Sequence, residues 1–439
     1  MNEYANSLKQ KLTSLIREMS AAPASYVKNP EKDFTRKKKL PFETVMQLLI
    51  SMGGNSLYKE LLESQGYDVN TATASAFVQQ RHKILPSAMA FLFHEFTQTY
   101  PNLKDYRGYR LLAIDGSDLH FATDPTDTDT YFQSQPDTKG YNLLHLNAAY
   151  DLCNRLYVDA IVQPRRLSNE GRALAAMVER SPIKGKTIVI ADRGYESYNN
   201  FAHIERKGWN YVIRVKDSTS SGILSGLRLS SALEFDRDIH LTLTKKQMNE
   251  VKAHPEIYKF IPSKGTFDFL DLQENLFYPI SFRVVRFILP NGTYETVITN
   301  LPADDFPPDE LRSIYNMRWG IETSFRALKY TVGLTNFHAK RREFVIQEIF
   351  ARMIMYNFAE MMTSHVVISQ KDKQHQYQVN FTVAVYVCRF LRSSDDEPPP
   401  DVEALIRRNI LPIRPIRPGQ ENTRKTRYKP AVSFVYRVA

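Results

Sequence analysis

Two aspartates close short apolar runs in this chain. Asp115 follows "LLAI" and Asp192 follows "TIVIA", each with a glycine close behind, in "DGS" and "DRGY". Carboxylates at the carboxyl ends of strands in an open α/β sheet stand where ligands bind, although an aspartate there also opens turns or caps helices. Neighbouring strands would bring the two carboxylates together, an arrangement that is costly without a neutralising cation such as a metal ion. A third carboxylate, Glu322, lies in "YNMRWGIETSFRALK" (315–329), which reads as one helix. At ~100° per residue, Tyr315, Arg318, Glu322 and Lys329 fall at about 0°, 300°, 340° and 320°, a stripe ~60° wide. Ile314, Met317, Ile321, Phe325 and Leu328 fall between about 200° and 280° and form the buried face. The stripe therefore lies on the shoulder of the buried face. A solvated amphipathic helix also has a polar side, so the stripe gains meaning through Glu322 as a third ligand.

Three carboxylates suit Mg²⁺, with Mn²⁺ as a substitute, because both ions prefer hard oxygen donors. Two such ions ~3.5–4 Å apart serve in-line phosphoryl displacement. Arg318 and Lys329 offer a fork and a point charge to phosphate oxygens, and Tyr315 offers a hydroxyl. Trp319, beside the stripe at about 40°, either stacks on a base or is an ordinary core or rim tryptophan. Arg193 and Tyr195 either touch nucleic acid or stabilise their turn. His145 reads as a satisfied core histidine without a role, and Asp118 as a local turn acceptor.

The elements that must position these groups follow from periodicity. Residues 1–105 are helical, with apolar spacing over 7–19, 41–52 and 72–98 and a run of four cations at 36–39. Strand patterns at 109–117, 141–151 and 155–163 are followed by a helix (168–181), a strand (186–192), a helix (197–208) and a strand (210–216). That order predicts a mixed α/β layer. Residues 217–296 break the rhythm and read as a β-rich insertion, with Asn291-Gly292 as the turn of a hairpin over 282–300. Helical patterning resumes at Pro308 and continues in a long helix over 343–362. After "DDEPPP" (395–400), a linker by composition, the last 39 residues carry nine cations and three acids.

Composition bounds the rest. The 439 residues hold 58 Lys plus Arg against 48 Asp plus Glu, a net charge of +10 and a pI near 9.3, which favours a polyanionic partner. Two cysteines, Cys153 and Cys388, exclude a disulfide framework or a structural zinc site and suit a reducing cytoplasm. The start has no signal-peptide layout, and no apolar run is long enough for a bilayer, so no membrane association is expected.

The ordered set "DGSDLH", "ADRGY" and Tyr-x2-Arg-x3-Glu-x6-Lys resembles the signature of bacterial cut-and-paste DDE transposases of the insertion-sequence-four family. Asp115 to Asp192 spans 77 residues and Asp192 to Glu322 spans 130, the longer gap holding the β-rich segment. The resemblance implies an RNase H-like catalytic core, a mixed five-stranded sheet with helices, at 106–216 and 297–365. A β-rich insertion (217–296), a helical DNA-end-binding domain (1–105) and a basic C-terminal region for DNA contact or dimerisation (366–439) would complete it. It further implies that Asp115, Asp192 and Glu322 hold two Mg²⁺ ions. Tyr315, Arg318 and Lys329 would grip transposon-end phosphates, and a homodimer would pair the terminal inverted repeats of double-stranded DNA. The implied reaction cuts the element ends, passes through a hairpin and joins 3′-OH ends to target DNA, in a bacterial cytoplasm. Two alternatives stay open: a nuclease of the same fold without strand transfer, and a DNA-binding protein that has lost chemistry.

Overall fold

In the computed structural model, described over residues 3–36, 39–100, 103–216, 222–227, 229–262, 265–289, 292–366, 368, 376–393 and 401–413, the chain opens with five helices. These are α1 (Glu3–Ala21), α2 (Phe42–Ser51), α3 (Leu57–Ser64), α4 (Ala74–Arg81) and α5 (Pro86–Gln98). The single helix expected over 72–98 is two. Proline has no N–H and its ring clashes inside a helix, so Pro86 starts a new one.

The next strands and helices are β1 (Arg110–Phe121), β2 (Tyr131–Phe132), β3 (Tyr141–Asp151), β4 (Leu156–Pro164), α6 (Glu170–Arg180), β5 (Thr187–Ala191), α7 (Tyr198–Arg206) and β6 (Asn210–Arg214). β1, β5 and β6 are mutually parallel, β3 runs antiparallel to β1, and β4 pairs β3. The order β4-β3-β1-β5-β6 places the apolar run of β5 between β1 and β6, buried at every position, as a strand covered on both faces must be.

The segment after β6 forms β7 (Phe235–Thr244), α8 (Asn249–Ala253), β8 (Tyr258–Phe260), β9 (Phe277–Ile288) and β10 (Tyr294–Thr299). These strands extend the same sheet from β6 in the order β10-β9-β7-β8, so that among the described residues the strands read as core and those read as a β-rich insertion form one ten-stranded sheet. Gly292 turns the β9–β10 hairpin at φ 81°, its N–H donating to Leu289 O at 2.9 Å. Asn291, residues 217–221, part of the cation run (37–38), the linker 395–400 and residues 414–439 lie outside the described residues.

The chain closes with α9 (Pro308–Met317), α10 (Trp319–Tyr330), α11 (Arg342–His365), β11 (Tyr377–Val379), α12 (Phe381–Ser393), α13 (Val402–Arg408) and β12 (Ile410–Pro412). The helix expected over 315–329 is broken at Arg318. Three-residue bonds, Arg318 N to Tyr315 O and Ile321 N to Arg318 O, both 3.0 Å, tighten the chain there.

Strand alternation sorts the core. Leu111, Ile188, Ile190 and Val212 face α9, and Ala113 faces the cluster that includes α10 and α11. Leu112, Ile114, Val189, Ala191, Tyr211 and Ile213 face α6 and α7 on the other side. α11 is buried over most of its length and packs on α2, α5 and β4, so the N-terminal helices share one apolar cluster with the sheet. A buried ion pair, Arg81 Nη1 to Glu348 Oε1 at 2.7 Å, crosses that interface with both side chains 2% exposed.

Candidate active site

The parity of the strands decides where the carboxylates point. Parallel pairing of β1 with β5 ends at Ile114 opposite Ala191, so Asp115 and Asp192 are the next residues on neighbouring strands. Both continue the alternation of residues that face α9 and α10: Leu111, Ala113 and Asp115 on one strand, Ile188, Ile190 and Asp192 on the other. Asp115 does not end its strand. β1 runs on to Phe121, paired among the described residues with β3 alone, because β5 has stopped.

Glu322 arrives from α10 on the same side. Arg318, 3% exposed, links it to Asp115: Nη2 lies 3.0 Å from Glu322 Oε1 and Nη1 3.9 Å from Asp115 Oδ2. The guanidinium also lies near the Tyr315 and Trp319 rings, 5.5 and 5.3 Å from their centroids. Among the described residues, Tyr315 Oη and Arg318 Nε are buried without a hydrogen-bond partner. Burial drives the Tyr315 hydroxyl up to about 12, Arg318 and Arg214 pulling it back and Asp192 adding to it. Two buried donors without acceptors require a reason, and phosphate oxygens are acceptors of the right kind.

Burial is also the main reason that the Asp115 carboxyl is pushed up to about 6. The Gly116 N–H and Arg318 oppose the shift, while the charges of Glu322 and Asp192 add to it. Asp115 thus feels the charge of both other carboxylates. Their side chains are 24%, 32% and 29% exposed for Asp115, Asp192 and Glu322, so all three are open to a ligand.

Lys329 lies further along α10, its Nζ 3.3 Å from the backbone carbonyl of Asp118. Trp319 is 56% exposed, which removes the core reading. Arg193 is exposed beside Asp192, whose Oδ1 accepts its N–H at 2.5 Å. Tyr195 is buried, its hydroxyl 3.4 Å from Asn147 Oδ1, away from solvent.

Sequence reasoning passed over Arg214. It follows the Ala191–Ile213 pair on β6 and thus sits beside Asp192, with Nε and Nη2 at 2.8 and 2.7 Å from Oδ1 and Nη1 2.9 Å from Glu295 Oε1. The signal was present: a charge closes the apolar run "YVI", as Asp192 closes "TIVIA". Asp118, read as a turn acceptor, is a strand residue opposite His145, with Oδ1 2.6 Å from Nδ1. His145 is buried and so opposed to charge. Asp118 and Glu170 outweigh that and raise it to about 9, while both carboxyls are lowered in return.

Among the described residues no three His, Cys, Asp or Glu side chains converge closely enough to hold a metal ion as they stand. The donor set nevertheless fits a hard divalent ion: all are carboxylate oxygens, and two of them already flank one cation, the Arg318 guanidinium. Also among the described residues, no helix is long and apolar enough to cross a membrane.

Comparison with known proteins places this geometry in context. The sequence model of the transposase DDE domain matches residues 106–358, more than half of the chain. No curated protein matches. Among solved structures, the cryo-EM structure of a piggyBac transposase synaptic complex with hairpin DNA aligns at a TM-score of 0.45 and 10% identity. That alignment covers 90% of this chain and 78% of the other.

Proposed function

Since the chain belongs to the transposase DDE domain family, we propose that it is an insertion-sequence transposase that excises its element and joins it to target DNA, with Asp115, Asp192 and Glu322 as its catalytic carboxylates. The observation that carries the assignment is the matched position of Asp115 and Asp192 on parallel neighbours, with Glu322 tied to Asp115 through one guanidinium. The order β4-β3-β1-β5-β6, antiparallel at β3 and parallel from β1 onward, supports an RNase H-like core. The sequence pattern Tyr-x2-Arg-x3-Glu-x6-Lys supports the insertion-sequence-four family.

Asp115, Asp192 and Glu322 would hold a pair of Mg²⁺ or Mn²⁺ ions, which when bound supply an activated water or 3′-hydroxyl and stabilise the leaving oxygen of the phosphodiester. Tyr315 and Arg318 bring their unpartnered donors to the phosphate, so Arg318 exchanges its carboxylate partners for phosphate oxygens. Lys329 extends the cationic track along α10, and Trp319 gives an unpaired base a surface on which to stack. Arg193 adds charge at the turn after Asp192. Each step is a phosphodiester exchange: water cuts one strand at the element end, and the freed 3′-hydroxyl attacks the opposite strand to form a hairpin. Water reopens the hairpin, and the 3′-hydroxyl attacks target DNA. One site therefore serves all steps. The helices of residues 1–105 recognise the inverted repeats, and a homodimer holds both ends.

The test uses duplex DNA ending in the element's inverted repeat, with Mg²⁺ or Mn²⁺, resolved on a denaturing gel with and without target DNA. Nicks, hairpins and joined products are expected from the wild type. Cutting without joining would move the assignment to a nuclease, and tight end binding without any cutting to a DNA-binding protein.

A further inference from the structure

Behind the three carboxylates, on the sheet face that carries α6 and α7, lies a charged cluster that the proposed reaction does not use. Asp118 and His145 are register partners on β1 and β3, and Asp118 Oδ1 lies 2.6 Å from His145 Nδ1. His145 Nε2 lies 3.2 Å from Oε1 of Glu170, the first residue of α6. Arg165 Nε adds a cation 3.0 Å from Asp118 Oδ1. The imidazole is 4% exposed, so it is held by its neighbours and has no room to swing aside.

Two glycines reveal what this cluster presses against. A Cβ on Gly116, next to Asp115, would lie 2.6 Å from His145 Nε2 and 3.2 Å from Glu170 Oε1. A Cβ on Gly194, two residues after Asp192, would lie 2.8 Å from Glu170 Oε2. Glu170 thus sets one oxygen against each backbone segment that carries an aspartate. Neither glycine has a positive φ, so close approach and not backbone freedom is what a side chain would disturb.

We infer that Glu170 and His145 are positioning residues: from the opposite face of the sheet they fix the spacing of Asp115 and Asp192, without touching phosphate or metal themselves. The inference rests on the proposed catalytic role of those aspartates. The link of Lys329 to the Asp118 carbonyl ties α10 to the same stretch of β1.

The experiment is a double-mutant cycle on the full chain, reading Mn²⁺ affinity by calorimetry, single-turnover end cleavage, and end-DNA affinity without divalent ions. Removing a group that orients metal ligands costs roughly 10- to 100-fold in metal affinity, so Glu170→Ala and Gly194→Ala are each expected to weaken Mn²⁺ binding by about tenfold or more. Both should slow cleavage and leave end-DNA affinity unchanged. Glu170→Gln, which keeps the side chain's shape, should recover most of the loss. In the Glu170→Ala background Gly194→Ala should add nothing, because the contact it disturbs is gone. Additive losses, or wild-type Mn²⁺ affinity in Glu170→Ala, would overturn the inference. If Glu170→Ala fails to fold, Gly194→Ala decides alone, and wild-type Mn²⁺ affinity in that chain overturns it. A wild type that binds no Mn²⁺ overturns the functional reading, and the positioning role with it, before any variant is compared.

Discussion

Arg214 Nη2 lies 2.7 Å from Asp192 Oδ1, and the two residues follow the last paired positions of adjacent parallel strands. A cation beside this carboxylate, also bonded to Glu295 at 2.9 Å, lowers the repulsion that a three-carboxylate site would otherwise carry. Replacing it by alanine is expected to slow end cleavage at least tenfold. It should lower unfolding stability by only about 1 kcal/mol, because the pair is partly open to water. Urea melts and a single-turnover gel separate the two effects. A loss of stability with undiminished cleavage would confine Arg214 to a structural role.

Glu322→Gln keeps the shape of the side chain and removes its charge. End binding should persist, while cleavage falls by a factor on the order of 10³ or more, as for removal of one member of a catalytic unit. Chelation of divalent ions should abolish wild-type cleavage and added Mn²⁺ should restore it. Undiminished cutting by Glu322→Gln would remove this residue from the proposed triad.

The Arg81–Glu348 pair joins the N-terminal helices to α11 inside the core. Burial opposes the Glu348 charge, yet Arg81, with His338 and Arg352, holds its carboxyl well below the usual range. A depressed carboxyl gives stability that is present in full above its unfolded value, about 4.3, and is lost as pH falls from there through the folded value. Glu348→Gln is therefore expected to cost about 3–5 kcal/mol at pH 7, since it strands a buried arginine. The deficit should shrink as both chains are melted at progressively lower pH below 4. A deficit independent of pH would show that shape, not charge, matters here.

Lys329→Ala should weaken end binding and reduce the slope of log affinity against log salt by about 0.9, the release expected for one phosphate contact on duplex DNA. Fluorescence anisotropy across a salt series measures it. An unchanged slope would leave Lys329 as a tether for the Asp118 carbonyl.

Local pattern made much of this architecture readable. The apolar run at Thr187–Ala191 announced a strand covered on both sides, and the charges closing such runs marked the site's edge. What escaped depended on neighbours distant in sequence. Past Asp115 the chain reads "GSDLH", too polar for a strand by pattern, yet β3 alone holds it extended to Phe121. Pairing of β9 with β10 made the segment read as an insertion continuous with the main sheet. The break at Arg318 and the burial of its guanidinium depend on ring and carboxylate neighbours that a helical wheel omits. Glu170, at the start of an ordinary-looking helix, gave no sign that it reaches both glycines.

The alternation of β1, with Asp115 turned to one face and Gly116 to the other, also bears on how such a gene can change. One codon lost between Leu111 and Asp115 would move the glycine into the carboxylate's place, one gained would move Ile114 there, and either would turn the carboxylate toward α6. Lineages of this protein should therefore tolerate exchanges of one aliphatic residue for another along that run far better than any change in its length. Insertions should collect instead where the chain crosses open surface between strands.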